Sequence, residues 1–176
     1  SIRRQRQMCI RDRYELNRYI TTLSRTKKGK AAGCLEKITA VSTKAELMPE
    51  ILNALTKTQT AYTALETQAL SFCGPVSSLG FAQVPASKTA ALLACCKDFY
   101  AELNILTVKL AVLLTSAEPL EDSPYEEAVR EGTLTLHRLQ EISETLESFF
   151  RWKELPDYVF WVEKFQSAAG EVPRFN

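Results

Sequence analysis

Seven apolar residues constrain this chain more than anything else in it. Leu92, Cys96, Phe99, Leu103, Leu106, Leu110 and Leu113 follow one another at spacings of four, three, four, three, four and three. An α-helix turns once in about 3.6 residues, so this spacing lays all seven side chains along one face. A strand alternates in twos and would scatter them over both sides. The row predicts a helix of about 28 residues, with Ser87 as a candidate N-cap. It has the form of the seam of an antiparallel helical hairpin or coiled coil.

Two further rows have the same period. Ile51, Leu55, Thr58, Tyr62, Leu65, Ala69 and Phe72 predict a helix that Gly74-Pro75 ends. Glycine accepts the left-handed turn there and proline cannot continue the helix. Thr43-Lys44-Ala45-Glu46 has the form of a capping box for its start, although Pro49 sits late for a first turn from that cap. Leu136, Leu139, Ile142, Leu146 and Phe149 predict a third long helix, to about Lys153. It opens on Ser123-Pro124-Tyr125-Glu126, the best cap in the chain. Shorter helices are predicted over Tyr14–Leu23 and Cys34–Val41. Ser24–Gly33 reads as a basic loop, Val76–Pro85 as a linker and Ser116–Asp122 as an acidic loop.

The period then changes. PDYVFWVEKF, Pro156–Phe165, is rich in the β-branched and aromatic types that suit a pleated surface. Glu171–Asn176 reads as a second strand cut short. The expected fold class is mainly α: an elongated, arch-like helical bundle or hairpin with a short C-terminal β-strand or hairpin. Residues 14–157 form the helical part, and 158–176 begin strands whose sheet lies elsewhere.

Composition bounds the class. Of 176 residues, 45% are apolar, enough for a core and too few for a membrane protein. No apolar run approaches the length that crosses a bilayer, and no signal-peptide pattern follows the basic start. The five cysteines are odd in number, scattered and without CxxC, which predicts a reducing, cytoplasmic setting. Net charge is +1 but unevenly placed. Residues 1–30 hold ten Lys/Arg against Asp12 and Glu15, giving +8, and the remainder is −7. Within the basic end, QRQMCIRDR (Gln5–Arg13) closely resembles a translated sequencing-adapter read. Residues 1–13 are therefore read as a non-native or disordered leader, and nothing is rested on them. With Ser1 in place of Met, the chain reads as a piece of a longer protein.

Chemistry-bearing motifs are sparse. There is no G-x-x-x-x-G-K-[ST] phosphate loop. His137, the sole histidine, falls off the apolar row of its helix and reads as solvated. The cysteines lack zinc or iron–sulfur spacing, so no metal site is expected. Glu126/Glu127 and Glu141/Glu144 read as a charged helix face, not as paired acid and base. No catalytic residue is expected. Arg25, Lys27, Lys28 and Lys30, on a glycine-containing loop, are the candidates for contact with phosphates.

The order of these parts, long helices, a basic loop, a heptad hairpin and then Y-V-F-W-V-E, resembles the arch region of DinG and XPD type superfamily 2 DNA helicases. The match to the family's returning strand is carried by Tyr158, Val159, Trp161, Val162 and Glu163. The resemblance spans roughly residues 14–176. It implies an accessory segment of an ATP-dependent 5′–3′ DNA helicase that encloses and guides single-stranded DNA and performs no chemistry itself. The strand residues would dock on the motor domain of the same chain, which would supply the missing sheet partner. ATP and Mg²⁺ belong to the implied parent, and no cofactor is expected in this segment. The family's four-cysteine motif is absent, which leaves open an iron–sulfur cluster outside the segment. The alternative is a free-standing helical scaffold or adaptor that binds a protein partner through its heptad seams.

Overall fold

The computed structural model describes residues 13–27, 30–31, 33–168 and 170–176. Those residues are mainly helical, with a small three-stranded antiparallel sheet near the C-terminus. The helices are α1 (Arg13–Leu23), α2 (Cys34–Val41), α3 (Met48–Cys73), α4 (Ala86–Thr115) and α5 (Pro124–Phe150). The strands are β1 (Thr26–Lys27), β2 (Lys30–Ala31), β3 (Ser78–Gly80), β4 (Trp161–Ser167) and β5 (Gly170–Phe175). The leader read over residues 1–13 lies outside the described residues except for Arg13, which opens α1.

The heptad rows are the core. All seven residues of the α4 row are fully buried, and so is every member of the α3 row from Ile51 to Phe72. Each Leu or Phe removed from water in this way contributes about 1.5–3 kcal/mol. The α5 row needs one correction: Ser143 is buried and Ile142 only half-buried. Leu136, Leu139, Ser143 and Leu146 keep the three–four–three spacing, which Ile142 breaks.

The caps divide in the same way. At α5 the Ser123 Oγ accepts the Glu126 N–H at 3.2 Å, and the Glu126 carboxylate accepts the Asp122 N–H at 2.7 Å. The box predicted at Thr43 does not form. The Thr43 N–H donates to the Ser116 carbonyl at 3.1 Å, and a short 3₁₀ turn over Ala45–Leu47 precedes α3. With α3 opening at Met48, Pro49 falls in the first turn, where its missing N–H costs nothing.

The chain divides into two compact units, and α3, α4 and α5 each contribute to both. One takes in Thr60–Ala101 and Ile142–Asn176. Its centre is Phe81, whose ring lies 5.7 Å from Phe72, 5.6 Å from Phe149, 5.6 Å from Trp152 and 6.3 Å from Phe160, centre to centre. Phe149 also meets Phe175 at 5.8 Å. Rings in such offset and edge contacts add to the area they bury. Phe81 sits on a 3₁₀ turn directly after β3, inside the stretch expected to be a linker. That stretch is instead a sheet edge followed by a core anchor. The strands of 158–176 thus share one core with the helices rather than standing apart from them.

The other unit takes in Glu15–Gln59 and Glu102–Glu141. Here the core is mainly Leu and Ile, and one helix contact is made over a glycine. A Cβ on Gly132 would lie 2.7 Å from Ile38 Cδ1 and 3.1 Å from Leu114 Cδ2, so α5 approaches α2 and α4 more closely than a larger residue allows. The end of α4 is tied to the end of α2. Ser42 Oγ and Ser116 Oγ lie 2.6 Å apart, each is 3.0 Å from the Leu113 carbonyl, and the Glu118 N–H donates to the Val41 carbonyl at 2.9 Å. These bonds satisfy carbonyl groups that a helix end leaves exposed.

Candidate nucleic-acid interface

Two short strands lie within the basic stretch. β1 and β2 pair antiparallel, with Thr26 opposite Ala31 and Lys27 opposite Lys30. The base of this pair is fixed by burial on both sides: Leu23 ends α1 and Cys34-Leu35 begin α2, all within the core. The chain ends approach so closely that a Cβ on Gly33 would lie 2.2 Å from the Leu23 carbonyl oxygen. Only glycine fits there.

Of the four candidate cations, Arg25 is exposed just before β1. Lys27 and Lys30 occupy facing register positions. Lys28 lies outside the described residues. The register places two of the four candidate positions opposite each other, which the linear sequence did not display.

Val162, in the motif of the returning strand, is fully buried, while Trp161 and Glu163 are half-buried on the opposite face of β4. Glu163 accepts from Asn176 Nδ2 at 3.2 Å. Tyr158 and Val159 precede the strand, Val159 exposed. The expectation that this strand lacks a partner within the chain is overturned. β4 pairs with β5 on one side, from Val162–Phe175 to Ser167–Gly170, and with β3 on the other, Leu79 facing Val162. The signal for β3 was hidden because a three-residue strand, Ser78-Leu79-Gly80, is too short to show alternation.

The outer edges of this sheet are blunted. Trp161 and Asn176 exchange both backbone bonds, at 2.9 and 2.8 Å. Counted in twos from there, Glu171, Pro173 and Phe175 direct their backbone groups away from β4. Pro173, the middle one, has no N–H to offer. On the β3 side the outward Gly80 N–H already donates to Gln83 Oε1 at 2.8 Å. Proline and occupied donors are the usual protection against strand addition.

Other candidates fall into place around these. His137 is exposed. Glu127 pairs with Arg130, and Glu141 with Arg138 at 2.9 Å, on the solvated face of α5. Burial, then the nearby Glu131 charge, pushes the Cys34 thiol up to about 12. Burial, with Cys95 adding to it, does the same for Cys96. Both stay protonated at neutral pH and behave as small apolar groups. No group of three or more metal-ligating side chains gathers among the described residues. At the N-terminus of α5 the Glu126 carboxylate already takes the Asp122 N–H.

Comparison with protein-family models, with curated proteins and with solved structures gave no match. No helix among the described residues is long and apolar enough to cross a membrane.

Proposed function

We propose that this chain is an accessory, arch-like segment of an ATP-dependent 5′–3′ DNA helicase, guiding single-stranded DNA by electrostatic contact. The observation that carries the reading is the β1–β2 register, which sets position 27 opposite position 30, with exposed Arg25 just before β1. The chain beyond residue 30 is net acidic and repels phosphates, so the basic stretch is the favoured contact. The Tyr158–Glu163 motif supports the family reading. Because Val162 is buried and both sheet edges are blunted, docking on a motor domain falls to Val159, Trp161 and their neighbours through side chains rather than strand addition. The segment performs no chemistry, and ATP hydrolysis is assigned to the parent's motor.

The test is a salt titration of single-stranded DNA affinity for the chain and for its Arg25→Ala, Lys27→Ala, Lys28→Ala, Lys30→Ala variant. Each phosphate contact contributes about 0.7 to the log–log salt slope for single strands. The variant is expected to bind more weakly and to lose up to about 3 units of slope. Equal slopes would show that the basic stretch is ordinary solvated surface.

A second reading is a protein-binding scaffold. It is favoured by β4 having partners on both sides within the chain, which removes the need for a motor sheet. The heptad rows are buried, so on this reading the partner meets side chains outside them. Sequencing the flanking reading frame separates the two: a DEAH-like box upstream and helicase motifs downstream decide for the first.

A further inference from the structure

α4 carries a second apolar row on its outer face. Val108 lies two residues from both Leu106 and Leu110, about 200° around the helix, and so points away from the core. Ile105, Val108 and Val112 are 45%, 63% and 43% exposed, at the three–four spacing of a docking face. From Leu103 to Thr115 the helix bears one charge, Lys109, and Glu50 engages it. Singly exposed apolar residues are ordinary, but three in register on a helix are not.

The C-terminal end of this row is negative. α4 has no basic residue in its last turn to offset the helix dipole. The loop that follows holds Glu118, Glu121 and Asp122, all exposed, with no cation between Lys109 and Arg130. Glu126 and Glu127 are already engaged by the Asp122 N–H and Arg130, so these three acids remain without an offsetting charge in the loop. Leu120, at 80% exposure, stands among them. A second copy of this stretch brings only the same acids and an engaged lysine.

We propose that the outer face of α4, Ile105–Val108–Val112 with Leu120, docks a cationic amphipathic helix of a protein partner. The partner's apolar residues lie on the row, and its Lys or Arg residues lie over Glu118, Glu121 and Asp122. The proposal does not depend on the helicase reading.

The probe is a fluorescent 18-residue peptide of Leu and Lys, with Leu on one helical face, titrated with the full chain by anisotropy. A Leu/Glu peptide of the same pattern is the control. The Leu/Lys peptide is expected to bind at least about tenfold tighter, and more weakly as salt rises. Val108→Asp should weaken it about tenfold or more, while Leu134→Asp, an equally exposed leucine on α5, should leave it unchanged. Reversing Glu118, Glu121 and Asp122 to Lys should invert the preference between the two peptides. Both substituted leucine and valine positions are exposed, and unchanged melting curves would confirm that the variants fold. The idea is overturned if the two peptides bind alike, if Val108→Asp and Leu134→Asp behave alike, or if sedimentation shows the face covered by a second copy that the peptide fails to displace.

Discussion

The two units bury different kinds of side chain. Thr60–Ala101 and Ile142–Asn176 hold every buried ring among the described residues, from Tyr62 and Phe72 to Phe160 and Phe175. Glu15–Gln59 and Glu102–Glu141 bury Leu, Ile, Ala and Cys around Gly132 and no ring. The exposed apolar residues run the other way: Leu52, Ile105, Val108, Val112, Leu120, Tyr125 and Leu134 belong to the second unit, against Val76, Val159 and Phe165 in the first. A ring fills a volume with one residue and can join strands to helices across a core. An aliphatic core packs helix on helix without such a bridge, and the apolar groups on the far faces of those helices stay in solvent. Both proposed contacts, the basic stretch and the α4 face, lie in the unit whose apolar side chains are left outside.

The largest effect should come from removing the central ring. Phe81 touches four other rings, so Phe81→Ala leaves a cavity that no single neighbour can fill. The expected loss is about 3–5 kcal/mol, read from urea unfolding. Phe81→Leu should lose less than half of that. A loss under about 1 kcal/mol would mean that the aromatic cluster is not what holds this unit together.

The aliphatic unit should respond to added volume at Gly132. Alanine in mid-helix normally gains about 1 kcal/mol over glycine. At Gly132 the new methyl meets Ile38 Cδ1, so Gly132→Ala is expected to forfeit that gain and destabilise by about 1 kcal/mol. Ile38→Val removes the clashing atom. In the double variant the two costs should add to less than their sum, with a coupling of about 1 kcal/mol or more. Simple additivity would show that the helices are not packed against one another at this point.

Much of this was legible in the sequence where one residue's role depends on its near neighbours. The α4 row and the Ser123 cap are such cases, set by spacing and by a hydroxyl three residues from its donor. What was lost depends on partners distant in sequence. Phe81 looked like part of a linker because its partners are about 70 residues further on or on another helix. Thr43 looked like a cap, but Ser116 takes its N–H. The four cations were visible as a cluster, yet two-residue strands carry no alternation from which to read that Lys27 faces Lys30. The α4 outer face was present in the letters, but a helix apolar on several sides is ordinarily read as buried all round.

The smallest effect compares a thiol in each unit. Cys34 and Cys96 are held near 12 by burial, against an ordinary value of 9.0. Unfolding returns each to the lower value, so the folded state binds the thiol proton more tightly. The stability this contributes is fully present below pH 9 and is lost as pH rises from 9 towards 12. Each buried thiol should account for about 1 kcal/mol between pH 9 and pH 10. The quantity to measure is the difference between parent and variant, in which the contributions of all other groups cancel. Cys34→Ala and Cys96→Ala should each show a shallower fall in urea midpoint from pH 9 to pH 10 than the parent chain. The Cys34 effect should also shrink in Glu131→Gln, because that carboxylate is the second cause of its shift, whereas the Cys96 effect should not change. Identical slopes for parent and both variants would mean that the thiols titrate as they do in water, and that neither core excludes solvent from them.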